Sequence, residues 1–146
     1  MQILTQAMID NELGNLELIR LTDDAHAGSI DADVLDQVAS NAESKLLVYV
    51  AQKYTLPLGL TDANAARAVR AHCMAVCVYD LFVRRDGAAT EARTKAFDAA
   101  IAWAKDIAKG IVGLPGESEA GQVGGLGHIV IESEDAAFSK ESLNGL

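Results

Sequence analysis

The sequence predicts an all-α fold: a compact bundle of three long helices plus a short N-terminal helix, with an extended glycine-rich C-terminal tail. Three observations carry this. Apolar residues recur at spacings of three and four through most of residues 34–108, which is the helical period. A residue able to cap a helix stands before each of these runs. Strand-like alternation shows instead in the tail, in HIVIE at 128–132, where one short strand is expected.

Taken in order, Thr5 caps a short helix that reaches Leu13, with Gly14 as its stop. NLELIRLTD adds another turn or two, and DDAHAGS is a loop. Asp31 or Ser29 caps the first long helix, which runs to about Tyr54 through Val34, Leu35, Val38, Ala42, Leu46, Tyr49 and Val50. TLPLGL then breaks the chain, because Leu56 before Pro57 is pushed out of the helical region and Gly59 follows. Thr61 or Asp62 caps the second long helix, to about Arg85. Its AHCMAVCVYDLFV stretch is apolar on nearly every side, so this should be the most buried helix. After the turn RRDGAAT, Thr90 caps the last helix, through Phe97, Ala100, Ile101, Ala104, Ile107 and Ala108. The expected division is therefore a helical bundle over 1–112 and a tail over 113–146.

Composition narrows the function classes. A chain of 146 residues, half of them apolar, can bury one ordinary core. The longest strictly apolar run, Cys73 to Tyr79, has seven residues, whereas a membrane span needs roughly 20. No basic flank and apolar core mark a signal peptide, so a soluble intracellular protein is expected. Cys73 and Cys77, one helical turn apart, would bridge only with distortion and are expected to be free thiols. The net charge of −9 is unevenly placed. Residues 1–60 hold nine acids and three bases, 61–112 six acids and eight bases, and 113–146 six acids and one base. Such a chain lacks the concentrated basic surface that phosphate-neutralising DNA binding needs. A basic middle beside acidic flanks suits contacts between copies, with Arg84 and Arg85 as the interface candidates.

The residues offer little chemistry. His72 and Cys73 are adjacent on a helix and point about 100° apart, so they make no thiol–imidazole pair. With Cys77 they give three soft ligands and no fourth, so no metal is expected; His72 reads as a packed core or interface histidine. DDAHAGSIDADV fails as a calcium loop, because Ala25, Ala27 and Val34 fall where ligands are needed. Asp80 and Arg84, four apart, read as an intrahelical pair. No dinucleotide fingerprint, Walker loop or nucleophile elbow is present. No enzyme activity and no cofactor are expected.

One longer pattern does point to a function. Leu21, Thr22 and Asp23 are followed by Gly28, Ser29, Ile30 and Asp31. A long helix then ends at AQKYTLPL, residues 51–58. LFVRRDG, GIVGLP and the closing FSKESLNGL continue the pattern. In these features the chain resembles the Mu-like phage family of small neck proteins, long filed as a domain of unknown function. The resemblance implies a structural virion protein, a head–tail connector or head-completion adaptor. Its subunits would form a homo-oligomeric ring, with the twelve-fold symmetry general among such rings, between the portal protein and a tail-side neck protein. DNA would pass through without specific binding, no membrane would be involved, and no catalytic residue is implied. The implied location is the virion neck, after assembly in the host bacterial cytoplasm. The rival class is a small acidic helical adaptor or regulator that binds a partner protein without catalysis.

A ring needs heterologous contacts, one face of a subunit fitting a different face of the next. The tail offers means of contact: an idle tail would be polar and simple, yet this one sets Ile129 and Ile131 in alternation and Phe138, Leu143 and Leu146 among polar neighbours. These five residues are the expected partner-binding positions, adding a strand to a neighbour or filling its pockets; the alternative is a tail lying on its own bundle.

Overall fold

The structure, a computed structural model, describes residues 1–121. It is helical, in the order α1 (Gln6–Leu13), α2 (Asn15–Thr22), α3 (Ala32–Val50), α4 (Ala63–Asp86) and α5 (Glu91–Ala108). The expected caps hold the helix starts. Thr5 accepts from Met8 N, Asp31 from Asp33 N and Val34 N, Asp62 from Asn64 N and Ala65 N, and Thr90 from Arg93 N. Of the paired alternatives, Asp31 and Asp62 are the caps in use. Gly87 ends α4 in the left-handed region, at φ 73°, which a glycine enters without steric cost.

α3, α4 and α5 pack on one another, with α4 antiparallel to the other two. Their seam is Leu35, Ala42, Leu46, Cys73, Val76, Cys77, Leu81, Ala100, Ala104 and Ile107, all essentially inaccessible. Alanine at 42, 100 and 104 lets the backbones approach closely, and the aliphatic residues fill the rest. α1 and α2 cover one end through Ile9, Leu18 and Leu21.

Two features of the fold are carried by polar groups. Glu43, on α3, is 3% exposed, and its carboxylate accepts from the backbone N–H groups of Gln2, Ile3 and Leu4 at 2.7–3.0 Å. It ties the first residues down beside the core. Asp23, after α2, accepts from the N–H groups of Ala27 (2.8 Å) and Gly28 (2.7 Å) and so shapes the DDAHAGS loop. Those two bonds hold its carboxyl below the usual aspartate range. A lowered folded-state value means a contribution to stability that is present above the ordinary value of about 3.9 and drains as the pH falls through the folded one. Asp23→Asn is therefore expected to be less stable than the unmodified protein at pH 7. The gap in urea midpoint should narrow steadily below about pH 4; a gap independent of pH would contradict this role.

Beyond α5 the chain returns to the α3–α4 loop. Tyr54 and Glu119 form an antiparallel bridge, flanked by Thr55 N donating to Ser118 O (2.9 Å) and Ala120 N to Lys53 O (2.8 Å). Leu114 is buried and its N–H donates to the Tyr54 hydroxyl at 2.9 Å. Glu117 accepts from the N–H groups of Gly59 and Leu60. Gly116, at φ 81°, lies so close that a Cβ there would meet Thr61 Oγ1 at 2.7 Å. Residues 114–120 thus clasp the α3–α4 loop of their own chain, including the KYTLPL segment. HIVIE, with its expected strand, and the five tail positions Ile129, Ile131, Phe138, Leu143 and Leu146 lie outside the described residues.

Candidate subunit and partner surfaces

The arginines singled out by the sequence sit at the C-terminal end of α4, where it meets α2. Arg84 donates to Leu21 O (3.1 Å) and pairs with Asp24; Arg85 pairs with the other Asp24 oxygen at 3.0 Å. Arg20 joins Glu17 and Asp86 from both sides, at 2.9 and 2.8 Å, and lowers both carboxyls below their usual values by hydrogen bonding. The acidic first part of the chain and its basic middle therefore already meet inside one subunit. The expected Asp80–Arg84 pair is not formed. Asp80 takes Lys45 of α3 at 2.7 Å instead, because α4 packs there against α3 while Arg84 turns toward α2. Each arginine keeps about a third of its side-chain surface.

The other sequence candidates are packing residues. His72 is half-buried and stacks on Trp103, ring centres 4.2 Å apart, and burial lowers its basicity. Tyr79 stacks on Phe97 at 4.3 Å, and the Arg93 guanidinium lies 3.6 Å over the Phe82 ring. Cys73 and Cys77 are free and fully buried, and burial pushes both thiols up to about 12. Among the described residues no group of three or more His, Cys, Asp or Glu is gathered as metal ligands would be. Nor is any of their helices long and apolar enough to cross a membrane.

Two surface features were not legible in the sequence. One is a groove over α4 between α1 and α5, floored by Ala71, Met74, Ala75 and Val78. The other is the scatter of large apolar residues left exposed, Leu16 at 84%, Ile111 at 70% and Val48 at 60%. Leu16 and Val48 have no buried neighbour three or four residues away, so they lie on the solvent faces of α2 and α3, and Ile111 lies beyond the end of α5.

The family model described as bacteriophage Mu, Gp36 matches residues 4–129. This chain belongs to the Mu Gp36 family. The match takes in all five helices, the clasp over the α3–α4 loop and the start of the glycine-rich segment. As a Gp36-family member it is a phage protein, which agrees with the resemblance carried by the LTD loop and KYTLPL. No curated protein matches the chain. In this Gp36-family fold the KYTLPL motif has a structural meaning: Tyr54 is a buried anchor whose hydroxyl receives the returning chain at Leu114.

Proposed function

We propose that this Gp36-family protein is a head–tail connector subunit, which assembles as a ring between portal and tail and lets DNA pass through its lumen. The observation that carries the reading is the family match over residues 4–129. The physical properties are compatible with it. An acidic chain of net charge −9 does not hold phosphates, so DNA would slide past it. The Arg84–Arg85 corner of one subunit is the proposed contact for an acidic face of the next, and the end of the tail, Leu143 and Leu146, for a neighbouring neck component.

Mass measurement of the purified protein, alone and mixed with the portal protein, tests the ring. A closed oligomer of fixed copy number is expected, and a monomer under both conditions would contradict it. Replacing Arg84 and Arg85 together by Glu should weaken association at least about tenfold, the range of a lost interfacial charge pair. Raising the salt should weaken association of the unmodified protein as well, because screening shortens the reach of exposed charges to about 8 Å at physiological ionic strength. Both arginines also hold Asp24 within the subunit, so circular dichroism of the variant must show an intact helical fold. Unchanged assembly would remove the two residues from the interface.

A further inference from the structure

A helix that is apolar all round is normally covered all round. α4 is covered by α3 on one face, by α5 on another and by α2 at its C-terminal end, but its third face is open from Ala63 to Val78. Met74, Ala75 and Val78 are only half-buried there and Ala71 is exposed. The groove they floor is walled by Leu4, Met8 and Leu60 at the end nearest the α3–α4 loop, and by Ala92 and Ala96 at the other. Arg67 and Arg70 line the loop end and form no ion pair among the described residues; Glu12 lies midway along.

The chain itself passes the mouth of this groove. Glu117 is hydrogen-bonded to the N–H of Leu60, one of the lining residues, and Gly121 is four positions further on, at most about 14 Å of extended chain. Residues 122–146 come next in the chain, with Ile129, Ile131 and Phe138 as apolar positions. Their acids are Glu132, Glu134, Asp135 and Glu141, against the single base Lys140. Residues 122–128 can span about 23 Å, enough to return from Gly121 to the mouth. From Ala63 to Val78 the groove follows α4 for about 22 Å, which seven extended residues cover at roughly 3.3 Å each.

We infer that residues 129–135 of this chain's own tail occupy the groove. Ile129 and Ile131, which share one face of the extended segment, lie on its apolar floor, and Glu132, Glu134 and Asp135 run beside Arg67 and Arg70. The position of Glu117 and the match of charge bring these residues home, and leave Phe138, Leu143 and Leu146 for a partner. The contact is intramolecular and needs no ring, so its test stands apart from that of the connector.

The chain has three methionines, of which Met8 and Met74 line the groove and Met1 does not. In the full-length protein with labelled methionine methyl groups, Ile131→Asp is expected to shift the Met8 and Met74 resonances and leave Met1 in place. The shifts should be the same at low and high protein concentration. Amides of 129–135 should be protected from hydrogen exchange in the unmodified chain. They should exchange about tenfold faster when Arg67 and Arg70 are both replaced by Glu. Both arginines are exposed, so the fold should survive; were it to fail, Ile131→Asp, outside the bundle, still decides. Unmoved methyls with unprotected amides would overturn the inference. So would shifts that appear only at high concentration, which would assign the groove to the tail of a second copy.

Discussion

Phage particles assembled without this protein are expected to take up DNA and then lose it, with infectivity falling to background. A connector subunit, in the proposed place between portal and tail, does its work after packaging, when the portal must be sealed and offered to the tail. Its loss should therefore leave head assembly and filling intact. Counting filled, empty and tailed particles by electron microscopy, with and without a complementing copy, separates this from an earlier defect. Empty heads without joined tails, restored by the intact gene, are the expected result. Normal infectious virions would sink the connector reading while leaving the family membership untouched.

Glu43→Ala is expected to cost about 3–5 kcal/mol of folding stability, since each buried donor left without a partner costs about 1–3 kcal/mol. Three donors lose their acceptor at once: the N–H groups of Gln2, Ile3 and Leu4, of which the last two belong to residues 8% and 2% exposed. Gln2 is nearer to solvent and regains part of the loss from water. Glu43→Gln retains the shape but offers one acceptor oxygen instead of two and turns an N–H₂ group toward other donors. It should fall between alanine and the unmodified protein. Urea unfolding gives the magnitude, and hydrogen exchange should show the amides of Ile3 and Leu4 released first. An unchanged midpoint for both variants would mean that the first residues contribute nothing to the bundle.

What the sequence could reveal was set by how far apart the partners lie. Thr5, Asp31, Asp62 and Thr90 cap amides two or three residues away, so a reader of the sequence can see both donor and acceptor, and the helix starts are evident. Glu43 stands between Ala42 and Ser44 and reads as a surface acid, because its donors are 39 to 41 residues away. The same holds for Tyr54 and Leu114, 60 apart, whose hydrogen bond helps to hold the clasp. Asp80 and Arg84 illustrate the opposite error. Their local spacing is favourable by only about 0.2–0.5 kcal/mol, and partners on α3 and α2 outcompete it. The candidate interface suffered most, since Arg84 and Arg85 were legible as cations while their bonds to Asp24 were not. The open face of α4 was hidden by its own composition, which forecast burial on every side.

The two inner thiols make this protein convenient for site-directed labelling. Attack on maleimides and related reagents requires thiolate, and a thiol raised from about 9 to about 12 holds roughly a thousandfold less of it at neutral pH. Cys73 and Cys77 also have no exposed surface through which a bulky reagent could enter. A single cysteine introduced on the surface can therefore carry a fluorophore or spin label with both native cysteines left in place. Distances within one subunit, or between subunits of an assembled particle, become measurable without first re-engineering the core.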